Sequence, residues 1–321
     1  MSGRIVVIDA SFGSVDVEAE AAAAYGVTIE GAGDVLGPAI VEAAGTADGV
    51  LVRYGRIDAD VIAGSTGWRV IGRYGVGVDN IDLEAATAHG IAVVNVPDYC
   101  VEEVAEHAAA LVLASTRKLP QAQALVDTGR WNDWEELRPV RPLSACTLGL
   151  VGIGRIGGEV VRLLAPFFGR VIAFDPVQAP PAGVEQVGLD ELFAEADVVS
   201  LHCPLTPGTQ NLVDAAKLAA MKPDSVLVNV SRGGLVDTAA LADALRAGAI
   251  GGAALDVLPQ EPPDPDDPLV GAPNLIVTNH IAWYSDAALV TLRRLLAARC
   301  SAYLNGEPVP SIVNARELAA R

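Results

Sequence analysis

A glycine pattern at residues 152–157 constrains the fold of this chain more than any other feature of its sequence. Gly152, Gly154 and Gly157 form a G-x-G-x-x-G pattern that directly follows the apolar run Leu148–Val151 and opens a helical stretch. In that context the first glycine permits a tight turn, the second lets the backbone approach a pyrophosphate, and the third allows helix and strand to pack closely. The helix N-terminus would face the phosphates. The pattern therefore predicts a dinucleotide-binding α/β domain.

An acidic residue follows at the spacing expected for a ribose contact. Asp175 comes directly after the next apolar run, Val171–Phe174, and eighteen residues after Gly157. A carboxylate at this place accepts hydrogen bonds from ribose hydroxyls and repels a 2′-phosphate, so the sequence favours NAD over NADP. The competing interpretation is a glycine-rich turn with a chance acid beyond it. The strand, the glycines and the acid together favour the dinucleotide site.

Short β-branched runs alternate with helix-length segments along the chain. The predicted strands are Ile5–Ile8, Val27–Ile29, Val50–Val52, Val70–Gly72 and Ile91–Val94 in a first series, and Leu148–Val151, Val171–Phe174, Val198–Leu201, Val226–Val230, Ala253–Val257 and Leu275–Thr278 in a second. Strands separated by helices form parallel βαβ units. The predicted fold class is thus α/β, with two Rossmann-like or flavodoxin-like parallel-sheet domains and a cleft between them.

Helical segments are predicted where the two series meet and where the second one ends. One long helix from about Val101 to Val126 is expected to link the lobes, and Trp131–Pro142 is expected to be a loop before the second domain. The segment Ser285–Asn305 is predicted to be a terminal helix that packs back on the N-terminal lobe. Asp214 and Asp237 are predicted to cap helices of the second series.

The charge and the cysteines argue against several classes of protein. The 321 residues carry a formal net charge of −18, so a nucleic acid or an anionic membrane surface would be repelled. No apolar run is long enough for a membrane helix. The four cysteines are isolated from one another, and the histidines lack ligand spacing, so we expect a reducing cytoplasm, no disulfide framework and no metal. A small-molecule ligand is the expected partner.

Three strands of the second series end beside side chains suited to acid–base and anion chemistry. Arg232, Glu261 and His280 follow the fourth, fifth and sixth of these strands. Ligands of open α/β sheets bind beyond the carboxyl ends of the strands, so we expect these residues to converge. Histidine gives and takes a proton near neutral pH, a carboxylate can set its tautomer, and an arginine fork can hold a carboxylate. Their joint occurrence predicts hydride transfer between nicotinamide and a small 2-oxo or 2-hydroxy acid.

Seven motifs together carry a resemblance to a known family. They are RYGVGVDNID (73–82), VPDYCVEEVAEHA (96–108), GLVGIGRIG (149–157), LHCPLTPGTQNLVD (201–214), NVSRGGLVD (229–237), LDVLPQEPP (255–263) and TNHIAW (278–283). In this order and spacing the chain resembles the D-isomer-specific 2-hydroxyacid dehydrogenases over nearly its whole length. The resemblance implies a discontinuous substrate domain (1–100 plus 285–321), an NAD-binding Rossmann domain (101–284) and a homodimer formed in part by the long helix.

The resemblance also implies roles for individual residues. Arg232 would bind substrate, and Glu261 would pair with His280, the acid/base. The substrate-binding residues implied or proposed are Arg73, Val76, Gly77 and Trp283, with the backbone N–H groups around Val76 and Gly77 on the substrate carboxylate. The cofactor-binding residues are Gly152, Gly154, Arg155, Ile156, Gly157, Asp175, Cys203, Val230 and Asp256. NAD is the expected cofactor.

The chain departs from the common family pattern at a few positions. Asn279 stands where many members have proline before the histidine, and Tyr74 stands where a small residue is common. Trp283 and Tyr284 are similar to a subset that includes the C-terminal-binding-protein corepressors and their bacterial relatives. Related formate dehydrogenases carry glutamine in place of Glu261, so the glutamate argues against that reaction.

Three functions follow from these observations. The leading one is an NAD-dependent reduction of a 2-oxo acid to a D-2-hydroxy acid, or its reverse. An NAD(H)-sensing, corepressor-like binding protein is the second, which Trp283 favours and the complete catalytic set opposes. A dehydrogenase of a phosphorylated or phosphonate 2-hydroxy acid is the third, which Arg53 or Arg73 would favour. The sequence does not select among individual 2-oxo acids, because one methylene or hydroxyl changes discrimination by only a few kcal/mol.

Overall fold

The chain divides into two compact units, each built on its own sheet. A computed structural model describes residues 3–9 and 12–320. The first unit is Met1–Cys100 with Ser285–Arg321, and the second unit is Val101–Tyr284. In the described ranges no helix is both long and apolar enough to cross a membrane.

Strands and helices alternate through both units. The strands are β1 (Arg4–Val7), β2 (Thr28–Gly31), β3 (Gly49–Val52), β4 (Val70–Arg73), β5 (Ala92–Val94), β6 (Thr147–Val151), β7 (Arg170–Phe174), β8 (Glu185–Gln186), β9 (Val198–Leu201), β10 (Val226–Asn229), β11 (Gly252–Leu255) and β12 (Leu275–Val277). The helices are α1 (Asp16–Ala23), α2 (Ala39–Ala44), α3 (Ala59–Gly64), α4 (Leu83–Ala88), α5 (Val101–Thr116), α6 (Leu119–Asp127), α7 (Arg155–Leu164), α8 (Leu189–Glu195), α9 (Ala215–Ala220), α10 (Thr238–Arg246), α11 (Asp286–Leu304) and α12 (Ala315–Ala319). Short 3₁₀ turns lie at Trp134–Leu137, Leu143–Ala145 and Gly233–Leu235.

The first unit is a five-stranded parallel sheet in the order β2-β1-β3-β4-β5. This is the flavodoxin-like order. Its strands are buried β-branched runs because helices cover both faces. On one face, α11 packs Leu292 and Leu296 into the same core as Ile5 and Val7 of β1. The terminal helix therefore belongs to the N-terminal fold, as the sequence pattern predicted.

A buried ion pair joins α1 to α11 in the first unit. Fully buried Glu18 accepts hydrogen bonds from Arg293, with Nε–Oε1 and Nη2–Oε2 distances of 2.8 and 2.7 Å. The Tyr74 hydroxyl donates to Glu18 Oε1 at 2.9 Å. Burial, with the Glu18 charge adding to it, raises the pKa of Tyr74 well above its usual value, so this hydroxyl stays protonated. Tyr74, at the position where a small residue is common in the family, lies in the core beside Leu292.

Removing one partner of this pair is expected to destabilise the protein. Glu18→Leu leaves the Arg293 guanidinium buried without its counter-charge, and such losses cost about 3–5 kcal/mol. Replacing both groups, in Glu18→Leu/Arg293→Met, is expected to restore most of the loss because no buried charge remains. Urea unfolding of the wild type and both variants measures this. A double variant as unstable as the single one would contradict the explanation.

The second unit is a seven-stranded parallel sheet in the order β12-β11-β10-β9-β6-β7-β8. Strands β8-β7-β6-β9-β10-β11 reproduce the 3-2-1-4-5-6 order of a dinucleotide-binding fold, and β12 extends it by one strand. The strand order reverses at β6, whose neighbours are β7 and β9. The loops after β6 and β9 therefore diverge and leave a crevice at this edge of the sheet. The predicted α/β fold class with two parallel sheets is confirmed.

The helix predicted from Val101 to Val126 is wrong as a single helix. α5 ends at Thr116 and α6 begins at Leu119, and Lys118 between them has a left-handed φ of +50°. Pro120, at the start of α6, has no N–H to donate to the preceding turn, so the helix cannot run through it. The apolar period continues on both sides of this break, which explains why the pattern suggested one helix.

Two aspartates were predicted to cap the N-termini of helices in the second unit. The Asp214 and Asp237 carboxylates accept the N–H groups of Lys217 and Ala240 at 2.8 and 3.0 Å, which confirms both predicted helix caps.

Strand β8 was not predicted because its two exposed polar residues carry no apolar pattern. Short edge strands of this kind are invisible to hydrophobic periodicity.

Candidate active site

The glycine turn after β6 is sterically specified. Gly152 has φ +90°, and a Cβ there would lie 2.8 Å from the His202 carbonyl carbon. A Cβ on Gly157 would overlap the carbonyl oxygen of Gly152, whereas one on Gly154 would meet no atom within 4 Å. Gly152 and Gly157 thus allow close packing, whereas Gly154 borders open space at the start of α7. This is the arrangement in which a pyrophosphate can approach backbone N–H groups.

The start of α7 offers an anion site next to a fixed carboxylate. No side chain caps the helix N-terminus at Gly154, so its first N–H groups are directed outward. Asp175 Oδ2 accepts the Ile153 N–H at 2.9 Å, and Oδ1 accepts those of Val177 and Gln178 at 2.8 and 2.9 Å. Burial favours a raised pKa for Asp175, but these three hydrogen bonds lower it below its usual value. The turn therefore presents a negative charge beside the helix.

Other predicted cofactor residues surround the same turn. Arg155 is exposed at the first position of α7, and Ile156 follows it half-buried. Cys203 follows β9, and its backbone nitrogen lies next to the Gly152 turn. Burial raises the pKa of the Cys203 thiol to about 11, so it is not a thiolate nucleophile at neutral pH. Val230 is buried directly after β10.

The loop after β10 holds Arg232 through its own hydrogen bonds. Asn229 Oδ1 accepts the Ser231 N–H at 3.0 Å, and Asn229 Nδ2 donates to the Arg232 carbonyl at 2.9 Å. Ser231 Oγ donates to the Leu201 carbonyl at 2.8 Å, which ties this loop to β9. The Arg232 guanidinium is half-buried and donates to the Ser231 carbonyl at 2.7 Å. The loop thus fixes where the guanidinium can reach.

The loops that carry Arg232 and Glu261 touch each other. A Cβ on Gly233 would overlap the carbonyl group of Leu258 and the nitrogen of Pro259. Only glycine permits this approach of two backbones. The glycine after Arg232 was visible in the sequence, but nothing there showed which segment it would meet.

Glu261 and His280 form the pair that the sequence predicted. Glu261 Oε2 lies 2.6 Å from His280 Nδ1, and Glu261 Oε1 accepts the Leu258 N–H at 2.8 Å. Burial favours a raised pKa for Glu261, but the hydrogen bonds from His280 and Leu258 and the charges of His280 and Arg232 lower it. An ionised carboxylate only accepts hydrogen bonds, so Nδ1 carries the proton. Nε2 is then the nitrogen that can exchange a proton with a ligand, on a side chain that is 40% exposed.

Asp256 holds the backbone around His280. Its carboxylate is 1% exposed and accepts the N–H groups of Ile281 and Ala282, both at 3.0 Å, while its carbonyl accepts the His280 N–H at 2.8 Å. His280 has a left-handed φ of +55°, which persists in a non-glycine residue only where its surroundings determine it. Sequence reasoning assigned Asp256 to the cofactor and missed this supporting role. The cofactor role stays a prediction.

Trp283 lies three residues beyond His280 in the same segment. Its ring is half-buried and meets that of Tyr284 edge to face, with centroids 5.5 Å apart. An aromatic side chain three residues from His280 can limit the size of a ligand that binds beside that imidazole. Its contact with substrate stays a prediction.

The loop predicted to bind the substrate carboxylate follows β4 in the first unit. Gly75 has φ +138°, and the Arg73 guanidinium covers the place where a Cβ would be. The Val96 N–H donates to the Gly75 carbonyl at 2.9 Å, and Asn95 Nδ2 donates to the Val76 carbonyl at 2.6 Å. These bonds anchor the loop by its carbonyl groups. Substrate binding by Arg73, and by the N–H groups of Val76 and Gly77, stays a prediction.

A second arginine of the first unit contacts two aromatic rings. The Arg53 guanidinium carbon lies 4.9 Å from the ring centroid of Phe12 and 4.4 Å from that of Tyr54. Asp9 accepts the N–H groups of Arg53 and Tyr54 at 2.5 and 2.6 Å, which fixes the turn after β3. Burial raises the pKa of Tyr99, and the positive charges of nearby Arg73 and Arg53 oppose that rise. Both cations thus lie near the same side chain.

Comparisons with known proteins identify the family to which the chain is similar. Residues 109–282 match the family model described as "D-isomer specific 2-hydroxyacid dehydrogenase, NAD binding domain". Over 263 residues the chain is 40% identical to the D-3-phosphoglycerate dehydrogenase of Archaeoglobus fulgidus, covering 81% of this chain and 50% of that protein. Over 271 residues it is 38% identical to the glyoxylate reductase of Korarchaeum cryptofilum, covering 83% and 82%.

Solved structures are similar over both units. One is the D-lactate dehydrogenase of Aquifex aeolicus complexed with NAD and lactic acid, with a TM-score of 0.84 and 28% identity over 94% of this chain and 96% of that one. The chain spans about half the length of the phosphoglycerate dehydrogenases that it matches among curated proteins. In residues 3–9 and 12–320, no group of three or more histidine, cysteine, aspartate or glutamate side chains is arranged to hold a metal ion.

Proposed function

Because the chain belongs to the D-isomer-specific 2-hydroxyacid dehydrogenase family, we propose that it is an NAD-dependent oxidoreductase acting on a small D-2-hydroxy acid or 2-oxo acid. The observation that carries this proposal is the 2.6 Å contact between Glu261 and His280 Nδ1, in the same unit as the glycine turn. That contact leaves Nε2 as the proton-exchanging nitrogen. An acid/base of this kind is what the reduction of a carbonyl group requires.

The residues of the second unit fit a bound dinucleotide. The open space at Gly154 and the uncapped N-terminus of α7 suit a pyrophosphate, and the ionised Asp175 suits the hydroxyls of an unphosphorylated ribose. When bound, NADH supplies the hydride. These features support NAD as the cofactor, since a 2′-phosphate would meet the Asp175 charge.

Each catalytic residue has one task in the proposed reaction. Arg232 holds the substrate carboxylate and polarises the neighbouring carbonyl with its planar fork. His280 Nε2 donates its proton to the carbonyl oxygen as C2 is reduced, and it accepts that proton in the reverse direction. Glu261 stabilises the imidazolium and keeps the ring oriented. The N–H groups of Val76 and Gly77 are proposed to bind a substrate carboxylate, and the Trp283 ring is proposed to limit the size of the substrate.

The first experiment is NADH oxidation by the purified protein with a panel of 2-oxo acids. NADPH is run in parallel, and Arg232→Ala is the control variant. Turnover with NADH that the variant loses would support the proposal and rank the substrates. If every acid fails while NADH still binds and changes the oligomeric state, the corepressor-like alternative replaces it.

A second candidate function is oxidation of a phosphorylated or phosphonate 2-hydroxy acid. It is favoured by the contacts of Arg53 with the Phe12 and Tyr54 rings and by the charges of Arg53 and Arg73, which both act on the Tyr99 side chain. Two guanidinium groups suit a second anionic group on the substrate. Comparing Arg53→Met with wild type tests it: kcat/KM for substrates with a second anionic group should fall, and kcat/KM for mono-anionic acids should not.

We also propose that the protein is a homodimer. α6 has no buried residue, and Trp131 and Trp134 beyond it are 77% and 57% exposed. Large exposed apolar side chains are typical of protein interfaces, where tryptophan is enriched. In sedimentation experiments Trp131→Glu/Trp134→Glu should be monomeric, whereas Phe167→Glu, which changes another exposed ring of the second unit, should sediment like the wild type. A monomeric wild type would refute the proposal.

A cytoplasmic location is proposed from the cysteines. Cys100, Cys146 and Cys300 are buried and Cys203 is partly buried, and in residues 3–9 and 12–320 none of the four is in a disulfide bond. Free thiols are typical of reducing compartments.

A further inference from the structure

His107 makes contacts that the proposed mechanism does not use. It lies on α5 in the second unit, and its Nε2 is 3.0 Å from Thr278 Oγ1 and 3.5 Å from Asp256 Oδ1. Thr278 Oγ1 is itself 2.5 Å from Asp256 Oδ1. Its helix neighbours Val104 and Ala108 are buried apolar residues, so a polar ring at 107 interrupts the apolar pattern in this part of α5. The imidazole therefore calls for an explanation.

The direction of these hydrogen bonds follows from the donors available. Both oxygens of buried Asp256 accept backbone N–H groups, so the carboxylate acts as an acceptor. The Thr278 hydroxyl has one proton, which it donates to Asp256. Its oxygen can then only accept from His107, so the proton of His107 lies on Nε2. The hydrogen bonds thus run from His107 through Thr278 to Asp256.

Asp256 in turn holds the segment that carries His280. It receives the N–H groups of His280, Ile281 and Ala282 through its carbonyl and its two carboxylate oxygens. These three bonds support the left-handed backbone of His280, because a positive φ in a non-glycine residue persists only where its surroundings determine it. A carboxylate free to rotate would release Ile281 and Ala282 together.

We propose that His107 is a positioning residue for His280, acting through Thr278 and Asp256. Its Nε2–H orients the Thr278 hydroxyl, which holds the Asp256 carboxylate in the rotamer that the 280–282 backbone needs. The proposal rests on the proposed function where it assigns acid/base chemistry to His280. It adds a residue of α5, far from the strand ends in sequence, to the groups on which proton transfer depends.

Steady-state kinetics with the best 2-oxo acid tests whether the hydrogen bonds from His107 through Thr278 to Asp256 support His280. His107→Leu and Thr278→Val should each lower kcat about tenfold, and the double variant should lose no more than the worse single one, because both break the same chain. His107→Gln should stay within about threefold of wild type, since its amide N–H₂ can donate to Thr278. His89→Leu, at the exposed end of α4, is the control and should match the wild type.

Hydrogen exchange provides a readout that does not need turnover. The amide protons of Ile281 and Ala282 should exchange about tenfold faster in His107→Leu than in wild type, and should regain protection in His107→Gln. If the wild type reduces no 2-oxo acid, the proposed function fails. The exchange measurement still shows whether His107 positions the 280–282 backbone. Unchanged exchange in His107→Leu, or kinetic losses that add in the double variant, would overturn the inference.

Discussion

Replacing His280 by glutamine is expected to lower kcat by roughly 10²–10⁴-fold, the range that general acid–base catalysis contributes. Glutamine preserves a polar side chain of similar reach but cannot give up a proton at neutral pH. The affinity for NADH should be nearly unchanged, because the glycine turn and Asp175 are supported by their own hydrogen bonds. Stopped-flow turnover and fluorescence titration with NADH measure the two quantities separately.

Two comparisons make this result specific. Glu261→Gln removes the charge that Nδ1 of His280 faces at 2.6 Å, so its kcat should also fall, by less than in His280→Gln. Removing both groups should cost little more than removing His280 alone, because they act as one unit. Undiminished turnover in His280→Gln would exclude it as the acid/base.

The pH range of this pairing follows from the sign of the shift at Glu261. Its pKa is lowered by the hydrogen bonds from His280 and Leu258, which outweigh the opposing effect of burial. A lowered pKa means that the pairing is present at neutral pH and is lost only as the pH falls through the lowered value. The orientation of His280 should therefore persist through the neutral range in which activity is measured.

The strand ends that carry the candidate site could be predicted because parallel strands impose a simple rule. β10, β11 and β12 run in the same direction, so whatever follows them lies at one edge of the sheet. The pairing of Glu261 with His280 then follows from proximity and complementary chemistry. Apolar periodicity and the glycine pattern were sufficient for this part of the fold.

What the sequence did not reveal depends on contacts between distant segments. Glu18 and Arg293 are far apart in the chain, and neither has a local pattern that marks it as buried. The support that Asp256 gives to the His280 segment involves a left-handed residue at position 280, and no glycine stands there to mark that conformation in the sequence. Tyr74 was visible as an unusual residue, but only packing against α11 shows that it serves the core.

Arg232→Lys is expected to lower kcat/KM by about 10²–10³-fold, close to the loss caused by removing one donor that stabilises developing charge. Lysine keeps the positive charge but loses the planar fork, so it cannot hold a carboxylate and polarise the adjacent carbonyl together. Arg246→Lys is a matched control, because Arg246 also donates to a backbone carbonyl, that of Pro268, on an exposed surface of the same unit.

The comparison between these two lysine variants separates charge from geometry. Arg246→Lys should keep wild-type kcat/KM, and both variants should keep the wild-type NADH affinity. If Arg232→Lys retained kcat/KM within about threefold, a point charge would suffice and the bidentate role would be wrong. Further loss in Arg232→Ala beyond Arg232→Lys would measure the charge alone, since alanine removes both fork and charge. The two variants thus compare loss of the fork alone with loss of both the fork and the charge, as two difference measurements on the same residue.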